Sequence, residues 1–280
     1  MVTDSTNCLP PDLVKKHDIR VVPVGMVING KLYRDQVDIS LAEFWKMFNE
    51  LHVEPTTNAP SMGEFYNAYN QLSEITDSII CVMVSKVLSA THESAFQARK
   101  LIKSEKPHLN IEIIDSKTCA GALGYIVLEA ARAAWENKSF QEVVQVARDM
   151  VSKVIYISSV DTLKYMIRIG RAPRNSAGIG EFLNIKPIIG FIDDSGYTQV
   201  IARVRGRQKS LDKMVELVEK YVDVSKPLHV MTHYCDSREE GEALKQKVVS
   251  RYNCAEVHVT EYSPVMLGAT GPVIGLSFYS

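Results

Sequence analysis

Cysteine is scarce and scattered. The five residues, Cys8, Cys81, Cys119, Cys235 and Cys254, stand far apart without a CxxC pair, which argues against a disulfide framework or a zinc ribbon. A chain of 280 residues, 46% of them hydrophobic, can rest on its own core, so the thiols read as reduced and the protein as cytoplasmic. Neither sign of charge is in excess: 32 Lys and Arg nearly cancel 33 Asp and Glu, leaving no broad field to grip a polyanion, and nucleic acid is not expected as a partner. Only 15 Gly and 11 Pro are present, too few for a low-complexity or collagenous chain. Long apolar runs are missing as well. Ile79-Ile80-Cys81-Val82-Met83-Val84 is strand-sized, far below the roughly 18 residues of a membrane span, and Met1-Val2-Thr3-Asp4-Ser5 has neither the basic nor the apolar region of a secretory signal. No membrane insertion is expected.

Catalytic signatures are absent too. There is no GxGxxG, P-loop, GxSxG elbow or HExxH. His17, His52, His108, His229, His233 and His258 show no ligand spacing, so no metal is assigned. His92 follows Ser89 by three residues, one turn along a helix, and reads more simply as a partly exposed histidine than as a base. Cys81 and Cys235 lie in apolar strand surroundings and read as core.

What is present is an alternation of short apolar strands with amphipathic helices. Strands are predicted near Ile19 to Val27, Ser78 to Val84 and Ile111 to Ile114, a helix following each of the last two. Ser40 with Glu43, Ser61 with Glu64 and Ser139 with Glu142 have the spacing of capping boxes. Asn29-Gly30 between apolar runs predicts a tight hairpin. After about Met150 the texture changes: strands near Val154 to Ser158, Ile188 to Ile192, Thr198 to Val204, His229 to Thr232 and Val257 to Tyr262 mix with helices near Leu163 to Ile169, Ser210 to Val222 and Arg238 to Tyr252. The expected fold is therefore α/β. An N-terminal three-layer domain with a parallel sheet spans 1–152, and a C-terminal α+β domain with a mixed sheet spans 153–280.

Small hydroxyl residues recur where strands end. Thr3-Asp4-Ser5-Thr6, Ser85 to Thr91 and Asp115-Ser116-Lys117-Thr118 follow three strands, and Thr56-Thr57-Asn58 precedes a helix start. In an open parallel sheet those points share the edge where ligands bind, and hydroxyls with helix N-terminal N–H groups make an uncharged anion cradle. Taken singly, each is also a good N-cap. Of the basic stretches, Arg168 to Arg174 and Arg203 to Lys209, Arg205 is the best placed, because it ends a strand with Val204 inward, where a guanidinium can be held for an anion.

The ordered set Thr3-Asp4-Ser5-Thr6, Thr56-Thr57-Asn58-Ala59-Pro60-Ser61, Leu88-Ser89-Ala90-Thr91, Asp115-Ser116, Gly170-Arg171, Leu183-Asn184-Ile185-Lys186-Pro187-Ile188, Arg203-Val204-Arg205 and Gly271-Pro272 resembles the DegV family of bacterial fatty acid-binding proteins across essentially the whole chain. The resemblance implies two domains closing over an apolar tunnel. It implies a long-chain fatty acid as ligand, with Thr57 and Ser89 hydrogen-bonding the carboxylate and Arg205 close to it, and no other cofactor. It also implies a non-catalytic subunit that presents the acid to a separate ATP-binding kinase subunit. Three features depart from the family pattern: Asn58-Ala59 within the Thr57 motif, Ala90 where glycine is usual, and Ala269 where a histidine normally reaches the carboxylate. The last weakens the expectation of a kinase partner. The first strand also starts late, two residues before Thr3. Two other readings stay open: a small-molecule hydrolase or transferase using Ser5 or Ser89 as nucleophile, and a relative that has lost lipid binding.

Overall fold

The computed structural model describes residues 1–176 and 184–280, so Leu183 of the motif set lies outside the described residues. β1 (Val2–Asp4) leads through a 3-10 turn into α1 (Pro11–Lys16) and β2 (Arg20–Val22). The run read as one strand from Ile19 to Val27 is two. Pro23 has no N–H to donate, and beyond it the chain leaves the first sheet and restarts as β3 (Gly25–Ile28) in a small antiparallel one. Asn29 and Gly30, at φ of 50° and 79°, turn it into β4 (Lys31–Arg34), the tight hairpin expected of Asn-Gly. α2 (Leu41–Glu50) follows, then β5 (Thr56–Asn58), which pairs with β3, and α3 (Met62–Leu72).

β6 (Ser78–Met83), α4 (Thr91–Glu105), β7 (Asn110–Asp115), α5 (Ala120–Trp135) and α6 (Phe140–Val151) complete the first half. All three capping boxes form: Glu43, Glu64 and Glu142 accept the backbone N–H of Ser40, Ser61 and Ser139 at 2.8, 2.7 and 2.7 Å, and each serine hydroxyl accepts the return N–H. The sheet order is β2-β1-β6-β7, all parallel, with α3 and α4 on one face and α5 and α6 on the other. The carboxyl ends of β1, β6 and β7 therefore meet at one edge.

The second half runs β8 (Ile155–Val160), α7 (Lys164–Arg168), β9 (Ile185–Phe191), β10 (Gln199–Arg205), α8 (Arg207–Tyr221), β11 (Leu228–Tyr234), α9 (Arg238–Val249), β12 (Cys254–Glu261), α10 (Pro264–Thr270) and β13 (Val273–Tyr279). The mixed sheet has the order β10-β9-β8-β13-β11-β12, with only β11 and β12 parallel. α8 and α9 cover one face and α5 approaches the other.

α5 is apolar almost all round because it lies between the two sheets. Its closeness depends on Gly121, where a Cβ would stand 2.5 Å from the His233 ring. Its far end is tied to the mixed sheet by Arg132, whose guanidinium meets Glu129 at 2.6 Å and Glu256 at 2.6 and 3.0 Å. Glu129, His229 and Glu256 cluster closely enough to hold a cation, but the Arg132 guanidinium already bridges both carboxylates there. The largest apolar cluster runs without a break through residues of both halves. Among the described residues, no helix is long and apolar enough to cross a membrane.

Candidate functional site

The sheet edge is held by a buried carboxylate. Asp4, at the end of β1, accepts the N–H of Thr6 at 3.0 Å and of Val84 at 2.7 Å, fastening the loop after β1 to that after β6. Burial pushes its pKa up against these hydrogen bonds. Ser5 accepts the N–H of Val24 at 3.0 Å, Ser85 donates to the Gly196 carbonyl at 2.7 Å, and Ser116 bonds within its own turn. Most hydroxyls at this edge are therefore fixed as turn and loop locks.

Thr57 and Ser89, together with Thr6, whose hydroxyl donates to Asp4, line a cavity between the sheet edge and the second half. Its volume is about 110 Å3, below the roughly 300–1,000 Å3 usual for small-molecule sites, so a long acyl chain enters it only as the walls part. The first half also contributes Val24, Val84, Leu88 and Cys119. β8 and β9 contribute Tyr156, Ser158, Ile189 and Phe191; the α7 region Met166, Ile169 and Arg171; α10 Val265, Met266, Ala269 and Thr270. The walls are chiefly apolar. Thr57, on β5, is exposed and Ser89 half-buried, so this part of the lining meets solvent. Ser89 Oγ lies 2.8 Å from Thr91 Oγ1 and accepts the Thr91 N–H at 3.3 Å. Ala90 has φ of −74°, a conformation any residue adopts, so the missing glycine costs nothing here.

Arg205 does not come to the cavity. Val204 packs toward α8, which puts Arg205 on the other face of β10, but β10 is an edge strand and Arg205 is exposed. The cavity's cation is Arg171. Its Nε donates to the Leu88 carbonyl, next to Ser89, and its Nη1 to the Ile169 carbonyl at 3.2 Å; no carboxylate among the described residues pairs with it. Arg168 donates in the same way to the Pro55 carbonyl at 2.9 Å, two residues before Thr57. The stretch Arg168 to Arg174 thus clasps the segments that carry both hydroxyls. The sequence held a signal for this, since Gly170 takes φ of 72° and ends α7, delivering the next residue inward. α10 was also announced by Ser263-Pro264, an N-cap followed by proline at the first helical position.

No histidine or lysine is hydrogen-bonded to Ser5 or Ser89 among the described residues. Ser5 is buried and lies outside the cavity lining. His92 on α4 is half-buried, and burial pushes its pKa down.

The family model described as "Uncharacterised protein, DegV family" matches residues 1–280. The chain belongs to the DegV family. A DegV domain-containing protein of Clostridium perfringens is 33% identical over 220 residues, 79% of this chain and 77% of that protein. Another, of Caldanaerobacter subterraneus, is 35% identical over 219 residues, 78% and 76% of the two chains. Among solved structures, a DegV family protein from Thermus thermophilus, described by its fatty acid binding, superposes with a TM-score of 0.90 at 28% identity, covering 100% of this chain and 98% of the other. DegV of Bacillus subtilis, described as a fatty acid binding protein, gives 0.87 at 25% identity, covering 99% and 97%. The DegV fold thus accounts for the parallel sheet and the mixed sheet.

Proposed function

We propose that this DegV protein is a non-catalytic carrier of a long-chain fatty acid. The acyl tail lies in the cavity between an N-terminal domain, 1–152, and a C-terminal domain, 153–280, while Thr57, Ser89 and Arg171 hold the carboxylate. The observation that carries this reading is a guanidinium on an apolar cavity with no carboxylate among the described residues paired to it, beside a hydroxyl on the same lining. An ionised acid buried without donors or a counter-charge would be strongly disfavoured, and an arginine with hydroxyl donors meets that need. The tail supplies the affinity: at about 0.8 kcal/mol per methylene, about fourteen methylenes offer roughly 11 kcal/mol gross, before several kcal/mol of association and ordering costs. The fatty acid binding described for the Thermus thermophilus and Bacillus subtilis relatives supports the same ligand class.

On this reading the carrier works in the cytoplasm and presents the acid to a separate ATP-dependent kinase subunit. Ala269 brings only a methyl group to the lining, so any acid–base help at that point has to come from the partner. Native mass spectrometry of protein purified from cells, and of stripped protein given palmitate or oleate, tests the proposal. A one-to-one fatty acid adduct is expected; protein that is empty as purified and takes up neither acid would end it.

A further inference from the structure

The cavity wall supplied by β8 carries hydroxyls that the head-group contacts leave unused. Along β8, Tyr156 and Val160 belong to the core shared with the first half, whereas Ile157 packs toward α8 and Ser159 meets the Ser210 hydroxyl at 2.9 Å. Alternation therefore turns Ser158 toward the cavity. Ser158 lines it, is 1% exposed, and its Oγ has no hydrogen-bond partner among the described residues. Near it the Tyr156 and Tyr262 hydroxyls lie 2.6 Å apart. One proton serves that contact, and Ser158 is the other hydroxyl within reach of Tyr156, so a chain of three hydroxyls ends at the cavity with the Ser158 proton unused. Gly275, the register partner of Ser158, makes room for the pair, since a Cβ there would fall 1.8 Å from the Tyr262 oxygen.

Buried polar atoms are nearly always satisfied, and a hydroxyl without a partner is costly. For a ligand of pure hydrocarbon, alanine at 158 and phenylalanine at 156 would make a better wall. An ionised head does not fit here either, because the groups acting on Tyr156 are Cys119, Ser158, Tyr262 and Cys8, none of them cationic. A neutral oxygen does fit: it can accept the unused Ser158 proton and, if a hydroxyl, donate in return.

We infer that the cavity takes an acyl chain bearing a neutral oxygen substituent, a hydroxyl or keto group, recognised by Ser158 with Tyr156. This rests on the fatty acid reading of the same cavity. The test is calorimetric titration of the full-length, lipid-stripped protein with palmitic acid and a positional series of its monohydroxy derivatives, on wild type, Ser158→Ala and Tyr156→Phe. One hydrogen bond regained in a dry site corresponds to roughly a three- to tenfold gain. At least one isomer should exceed palmitic acid by that factor on wild type and fall back to its affinity in Ser158→Ala, with palmitic acid itself bound as well or better. The inference is overturned if palmitic acid binds and no isomer surpasses it, or if the preference survives both substitutions. It is also overturned if Ser158→Ala weakens palmitic acid as much as its derivatives, which would assign the hydroxyl to the acid head. Failure of every acid to bind would remove the underlying fatty acid reading, and this inference with it.

Discussion

On the proposed reading, removing the Thr57 and Ser89 hydroxyls separates recognition of the acid from burial of its tail. Hydrogen bonds to a charged group contribute about 1.5–3 kcal/mol each. With Arg171 left in place, the lower figure applies to each hydroxyl, so Thr57→Ala with Ser89→Ala should cost about 3 kcal/mol, on the order of a hundredfold in Kd. The two sites differ in their structural cost. The Thr57 hydroxyl makes no hydrogen bond among the described residues on its exposed strand, so its loss should leave the melting temperature unmoved. Ser89 bonds Thr91 at the start of α4, so its loss should cost about 1 kcal/mol of stability, as for a helix cap. Calorimetric titration of lipid-stripped wild type, both single variants and the double variant with palmitate gives the affinities. Methyl palmitate, which keeps the tail and loses the charge, is the control and should bind all four proteins within a few-fold. A double variant holding palmitate within twofold of wild type, or one that loses the ester as severely as the acid, would refute the assignment.

Two further outcomes follow from the same structure. Arg171→Ala should weaken palmitate at least tenfold, whereas Arg205→Ala should leave it unchanged; equal losses in paired titrations would reinstate Arg205. Asp35, 1% exposed and accepting the Val265 N–H at 3.0 Å, has its pKa pushed up by burial to about 6. The folded chain therefore holds this proton more tightly than the unfolded one between about pH 4 and 6, and stability falls as pH rises through that window, by roughly 3 kcal/mol in all. In urea unfolding from pH 4 to 8, Asp35→Asn should gain on wild type as pH rises, and parallel profiles would exclude the carboxyl as the cause.

How much the sequence revealed depended on whether the signal was local. Capping boxes and the Asn-Gly turn are written in four or fewer residues, and each formed. The alternation of strands and helices gave the parallel sheet, because β6 and β7 are short apolar runs bounded by turn residues. β13 was not anticipated: its seven residues are all buried, so they show no alternation, although the strand lies at the centre of its sheet. The Thr57 and Ser89 motifs pointed to a pair that does share a lining. Arg205 stands off the lining because strand alternation fixes a face but not how far that face extends: the wall reaches Thr198, and no residue of β10 is in the described lining. Arg171 follows a helix whose ending glycine sets its direction, a contact decided only when the two halves meet.

Thr57 is carried on a three-residue strand whose sheet neighbour is β3, with Met26 opposite, while the cavity-lining residues of the second half sit mainly on β8, β9, α10 and the α7 region. On the proposed reading, the anchoring point and the slot are thus separate mechanical parts. Shortening or lengthening the hairpin beyond β3 would slide the anchor against an unaltered slot, and reshaping β9 or α10 would change the slot's gauge without disturbing the anchor. Members of such a fold can diverge in which chain they carry by retuning one part at a time.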